Sequence, residues 1–174
     1  MVNIREMADA DIEAVAAVRV AGWRHAYAGL VPRSHLDAMD ASANAAAFRV
    51  RRAAGGDPAA HAVAEAAGGV VGWVCHGPCR DPDQPPGTAE LYALYVRPDL
   101  IGTGVGRALW AAALEAARRR GEVRMMLWVL KGNARARRFY ERSGCIRDGA
   151  ERTDDMDGTA VPEVRYVLEP LRSP

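Results

Sequence analysis

The residues best placed to do chemistry lie between Glu90 and Trp110, in the stretch Glu-Leu-Tyr-Ala-Leu-Tyr-Val-Arg-Pro-Asp-Leu-Ile-Gly-Thr-Gly-Val-Gly-Arg-Ala-Leu-Trp. An aliphatic and aromatic run stopped by Pro98 reads as a strand, and Gly102, Gly104 and Gly106 read as a turn opening a helix. The first N–H groups of a helix have no internal partners, and the helix dipole adds partial positive charge there. Glycines remove the Cβ atoms that would keep a phosphate from the backbone. A dinucleotide fingerprint would need glycine at position 107, which is Arg107, and no Gly-Lys-Ser/Thr completes an ATP-binding loop. Taken alone, three close glycines also read as nothing more than a tight turn.

A second constellation follows in Trp128-Val-Leu-Lys-Gly-Asn-Ala-Arg-Ala-Arg-Arg-Phe-Tyr-Glu-Arg-Ser-Gly144. Asn133 stands where a helix would start, and Tyr140 comes two turns later on roughly the same face. By themselves they read as an N-cap and a core aromatic. Together, in this order, the two segments resemble motifs A (about 88–120) and B (about 123–146) of the GNAT N-acetyltransferase superfamily. Gly104 and Gly106 match [RQ]-x-x-G-x-[GA], and Asn133 with Tyr140 matches Asn-x-x-A-x-x-[FY]-Y-x-x-x-G. Ile101 departs from the Arg or Gln of the first pattern, and Cys145 stands where phenylalanine is common.

The resemblance implies an α/β acyl-CoA N-acyltransferase fold, with a mixed, mostly antiparallel sheet flanked by helices and split where acetyl-CoA enters. It implies that the end of the strand (Leu94, Val96) and the turn (Ile101, Gly102, Thr103, Gly104, Val105, Gly106, Arg107) hold the cofactor's thioester and pyrophosphate. Asn133 would bind the pantetheine arm, and Arg135 and Arg137, with Arg107 and Arg138, would meet phosphates, for which guanidinium groups suit. Acetyl-CoA would serve as co-substrate, without a metal, for transfer to a primary amine by direct attack in a ternary complex.

That attack needs a neutral amine, yet an alkylammonium has a pKa of about 10.4 and must lose a proton. Glu90, six residues before Val96 and therefore on the same strand face by the two-residue period, is the leading base. A main-chain N–H near Val96 would meet the developing oxyanion. Tyr140, a phenol with an ordinary pKa of about 10, would give the departing thiolate its proton. Trp23, His25 and Tyr27 resemble the Trp-x-x-x-Tyr segment that walls acceptor pockets in small-molecule acetyltransferases, with His25 an alternate base; core packing accounts equally for Trp23 and Tyr27. The acceptor is read as a small molecule, with a protein N-terminus or lysine as the alternative. A non-catalytic acyl-CoA sensor and an arginine-rich nucleic-acid module are the rivals from other classes.

Cys75-His76-Gly-Pro-Cys79 has two cysteines and one histidine without a second ligand pair, and reads as a strand end rather than a zinc site. Cys145 reads as core, with no histidine nearby in sequence to activate it.

These residues need a scaffold. Alternation or apolar runs predict strands at 2–6, 61–66, 70–75, 88–96, 123–130, 145–150 and 161–168. Helices are predicted from Asp9 or Asp11 to about Gly22, briefly after Pro32, from a Ser42 cap to Gly55, after Gly106 to Arg120, and from Asn133 to Ser143. The 174 residues, 49% hydrophobic and 26% charged, suit one folded domain (1–174) rather than a disordered chain. No apolar run reaches the ~20 residues of a membrane span, the N-terminus lacks a signal-peptide pattern, and three cysteines do not make a disulfide framework, so a cytoplasmic location is expected. Net charge is +1, but 107–147 carries +8 and the remainder −7, which points to a local anionic ligand rather than a nucleic-acid coat. A homodimer is compatible with this reading.

Overall fold

The computed structural model describes residues 2–66 and 68–171. Among them, seven strands form one sheet in the order β1-β2-β3-β4-β5-β7-β6. They are β1 (Asn3–Glu6), β2 (Ala60–Ala66), β3 (Gly69–Pro78), β4 (Thr88–Val96), β5 (Arg124–Leu130), β6 (Ile146–Met156) and β7 (Thr159–Leu168). The helices are α1 (Ile12–Ala26), α2 (Arg33–Ala38), α3 (Ala41–Ala54), α4 (Val105–Arg119) and α5 (Ala134–Arg142). None of the described helices is long and apolar enough to cross a membrane.

Two predicted helix limits change. α1 continues four residues past Gly22, through Trp23 and His25, because nothing in Trp-Arg-His-Ala breaks a helix. α3 is capped by Asp40, whose carboxylate accepts the Ala43 N–H at 2.7 Å, rather than by Ser42. The acidic β6–β7 hairpin turns at Asp157 and Gly158, both with positive φ, and its Asp157 reaches His35 on α2 at 3.4 Å.

β4 and β5 are the one parallel pair among the described strands, and they stay together only from Thr88 to Leu91 and from Arg124 to Leu127. Beyond that point they diverge, leaving a split in the middle of the sheet. On one face α4 buries Val105, Leu109, Trp110, Ala113 and Ala117, a stripe at helical spacing, against β3, β4 and β5, with Tyr140 of α5 in the same core. On the other face α1 and α3 pack Val15, Ala16, Ala45 and Phe48 on Trp73 and Cys75. Trp23, Leu36, Leu130 and Val161 continue that side beneath α2.

β4 carries a β-bulge. Cys75 pairs with Ala93 but the next β3 residue, His76, pairs with Leu91, so Tyr92 is the extra residue. A one-residue insertion reverses the alternation. Leu91 upstream and Leu94 and Val96 downstream all face α4, whereas Tyr92, Ala93 and Tyr95 face α1. The even spacing of Glu90 and Val96 therefore places them on opposite faces, which corrects the sequence expectation.

Candidate active site

The split opens into a cleft of about 1600 Å3 that runs between α1, the free half of β4, the end of β5 and the helices α4 and α5. Along β4 the cleft meets main chain without a strand partner. Arg97 donates its N–H to the Val71 carbonyl of β3 at 2.8 Å, and antiparallel alternation then turns the amides of Val96 and Leu94 away from β3, toward the cleft.

The glycine turn ends at the same opening. Gly104 takes φ +98° as the residue before α4, a left-handed conformation that suits glycine, and nothing lies within 4 Å of where its Cβ would stand. The first helical bond is from Ala108 N–H to the Gly104 carbonyl at 3.0 Å. No side chain caps this helix and no acid occupies its first turn. The N–H groups of Val105, Gly106 and Arg107 have no acceptor among the described residues. This is an open anion-binding end, with Arg107 on the cleft wall beside it.

Asn133 caps α5 by accepting the Ala136 N–H on Oδ1 at 3.1 Å, and its Nδ2 has no partner among the described residues. On α5 the residues that line the cleft include Arg135, Arg138, Phe139, Tyr140 and Arg142. The three arginines fall at helical spacing on one side. Arg137 faces away, with Nε donating to the Tyr166 hydroxyl at 3.2 Å and Nη1 to the Lys131 carbonyl at 3.0 Å, so its predicted phosphate contact is not supported by its placement. Tyr140 is 8% exposed and packed edge-on between Trp110 and Phe139. Its hydroxyl has no partner among the described residues, and burial, then the neighbouring Tyr95 phenol, holds its pKa well above the ordinary phenol value.

The opposite end of the cleft is aromatic and lies on the α1 face. Tyr27 and Tyr95 meet hydroxyl to hydroxyl at 3.3 Å, and both pKa values are raised, first by burial. Gly22 makes this approach feasible, since a Cβ there would stand 2.9 Å from the Tyr95 ring. His25 lines the same wall, with Nε2 3.4 Å from Arg135 Nη1 across the opening. Tyr92 and Trp128 complete this end. The proline-rich segment after β3 is fastened beside them: Tyr92 donates to the Pro78 carbonyl at 2.5 Å and Trp128 Nε1 to Asp81 at 2.9 Å. Buried Arg165 bonds Asp81, Asp83 and Asp148.

Several predicted residues stand elsewhere. Glu90 is 2% exposed and absent from the cleft wall, its two oxygens taken by the Arg80 main-chain N–H at 2.9 Å and the Arg80 guanidinium at 2.5 and 3.1 Å. Buried, bonded to Arg80 through both oxygens and off the cleft wall, it is not placed to take a proton from a substrate there. Trp23 packs between Tyr27 and His35 under α2 rather than in the cleft. Thr103 turns its hydroxyl back onto the Leu100 carbonyl, and the Val105 side chain is buried, so both offer only main chain. Leu94, Val96, Ile101, Gly102, Gly104, Gly106, Arg107, Asn133, Arg135, Tyr140, His25 and Tyr27 do line the one cleft. Cys145 is core, its thiol pushed up to about 12 by burial. Tyr95, Trp128, Arg142 and Glu163 also line the cleft and were not anticipated. Helical spacing from Arg135 and Arg138 could have found Arg142; no local pattern marks Glu163.

Comparison with known proteins agrees with this geometry. The model of the "Acetyltransferase (GNAT) family" matches residues 23–145. The chain is 30% identical over 133 residues to the uncharacterized N-acetyltransferase YuaI of Bacillus subtilis, covering 76% of this chain and 74% of that one. It is 43% identical over 94 residues to a mycothiol acetyltransferase of Thermobispora bispora, which spans 52% of this chain but only 31% of that protein. The fold is shared with the PaiA N-acetyltransferase of Thermoplasma acidophilum, solved in complex with coenzyme A, at a TM-score of 0.71 and 19% identity over 97% of this chain and 99% of that one.

Proposed function

The chain belongs to the acetyltransferase (GNAT) family, and on that premise we propose that it moves the acetyl group of acetyl-CoA to a primary amine of a small molecule, by direct attack in a ternary complex. The observation that carries this reading is the convergence of three unsatisfied donor sets on one cleft. These are the first-turn amides of α4, the outward amides of Leu94 and Val96, and the Tyr140 hydroxyl.

The chemistry follows from those groups. The α4 amides with Arg107, Arg138 and Arg142 hold the pyrophosphate and phosphate charge of the cofactor. Free amides on β4 position the pantetheine arm and give a hydrogen bond to the thioester carbonyl, whose oxygen gains charge as the amine nitrogen bonds to its carbon; such a donor typically contributes about 2.7–4 kcal/mol. The C–S bond then breaks, and Tyr140, kept protonated by its burial, gives its proton to the thiolate. The amine's surplus proton leaves through water or His25, since Glu90 is locked to Arg80. A small acceptor is supported by the confined aromatic end formed by Tyr27, Tyr92, Tyr95 and Trp128.

The test is thiol release with a panel of primary amines. The proposal expects coenzyme A to appear only when acetyl-CoA and an accepted amine are both present. Saturable acetyl-CoA binding without thiol release on any amine would instead indicate a sensor.

A further inference from the structure

The aromatic end of the cleft contains one carboxylate with a free oxygen. Glu163 lies on β7 opposite Leu130, where β5 has already parted from β4. Its side chain is 13% exposed and lines the cleft. One oxygen, Oε2, accepts from Arg152 Nε at 2.5 Å; Oε1 has no partner among the described residues. Arg152 is itself about half exposed and lies over the Trp128 ring at 4.4 Å, so this pair is solvent-screened and its cation has a second resting place. The other acid on the cleft wall, Glu115, belongs to α4 and is engaged by Arg118 and Arg119.

Alternation on β5 and β7 puts Glu163 on the α1 face. Val164 and Tyr166, its neighbours in the alternating pattern, are in the α4-side core, and Trp128 and Leu130 point with Glu163 to the other side. Tyr27, whose hydroxyl meets that of Tyr95 at 3.3 Å, lines the same cleft as Glu163 and Tyr140. Glu163 thus enters the cleft from its α1 side, while Tyr140 enters it from the α4-side core.

We propose that Glu163 is the acceptor-selecting residue, its free Oε1 receiving the ammonium of a cationic primary amine within the box formed by Tyr27, Tyr95 and Trp128. The inference rests on the acetyl-transfer reading for its biological meaning, but not for its test. Phenol and indole faces favour an organic cation as well as its apolar body, and the carboxylate supplies the directional contact. A hydroxyl of the same shape can donate only an uncharged hydrogen bond to Oε1, weaker than the charge-assisted bond of an ammonium, so the carboxylate favours the cation.

The experiment is calorimetric titration of the full chain, saturated with coenzyme A, with benzylamine and with the uncharged isostere benzyl alcohol. Wild type is expected to bind the ammonium about tenfold or more better than the alcohol, the scale of one charge-assisted hydrogen bond. Glu163→Gln removes that preference and leaves alcohol binding unchanged, while Glu163→Asp restores part of it. Equal binding of the two ligands by wild type, or a preference that survives in Glu163→Gln, overturns the inference. Loss of both ligands in Glu163→Gln with a lowered melting point assigns Glu163 a structural role and overturns it as well. Failure of acetyl transfer would show separately, as absent thiol release with intact ammonium binding.

Discussion

Arg80 encloses Glu90 from three directions, with its main-chain amide and two guanidinium nitrogens all within 3.1 Å of the carboxylate. The same guanidinium lies 4.0 Å from the Tyr92 ring centre, so the pair fastens the start of the proline-rich segment to β4. An acid held this way acts as a structural tie. Glu90→Gln should lower stability by about 1–3 kcal/mol, the range for a buried group left partly unsatisfied, and leave kcat within a factor of about two. Thermal melting and steady-state kinetics on the same preparation check this. A hundredfold loss of kcat at unchanged melting temperature would restore Glu90 as the base.

Tyr140 should behave as a proton donor rather than a binding residue. Tyr140→Phe keeps the ring between Trp110 and Phe139, so acetyl-CoA affinity should stay within about twofold while kcat falls by about a hundredfold or more, a usual scale for general acid catalysis. Burial raises the phenol pKa above its ordinary value of 10, so the protonated form persists through pH 9. The kcat profile of the wild type should accordingly show no Tyr140-dependent alkaline decline below about pH 10. A decline centred near pH 8 that disappears in Tyr140→Phe would contradict this assignment.

Gly104 and Gly121 form a matched pair of probes. Both have positive φ and open space where a Cβ would go, but only Gly104 stands at the cleft. Alanine at either position should cost about 1–2 kcal/mol of backbone strain. Acetyl-CoA binding should weaken about tenfold or more in Gly104→Ala alone, because its Cβ enters the space in front of the α4 amides. Isothermal titration of both variants decides the matter.

Arg137 and Arg138 separate the two sides of α5. Arg138→Ala should weaken acetyl-CoA binding several-fold and reduce its dependence on salt, the signature of a phosphate contact in an exposed site. Arg137→Ala should leave affinity alone and lower stability by about 1 kcal/mol through its bonds to Tyr166 and the Lys131 carbonyl. The reverse pattern would mean that α5 is rotated relative to the cofactor.

What the sequence made legible was contiguous. Gly104 and Asn133 lie within short strand–turn–helix segments, where spacing alone determines the exposed amides and the cap, and these elements formed where the patterns placed them. The order of elements read as α/β, and the mixed, mostly antiparallel sheet implied by the family resemblance is the one observed. Glu90 misled because strand periodicity holds only without a bulge, and Tyr92 carries no local mark of one. Arg137 misled because proximity in sequence to Asn133 does not settle which side of a helix a residue occupies. Trp23 in the last turn of α1 and Tyr27 just past its end divide between core and cleft according to what α2 covers. Glu163 enters the site through a register across β5 and β7, 30 residues after Asn133 and 23 after Tyr140, and no local spacing reports that.

The central claim is that main-chain amides at the α4 start and on the free half of β4 together cradle acetyl-CoA. Amide-resolved NMR during an acetyl-CoA titration tests it directly. Saturable shifts at Leu94, Val96 and Gly102 to Arg107, with Gly121 unmoved, are the predicted result. Saturation of the protein with those amides unperturbed, or no binding at all, would contradict it.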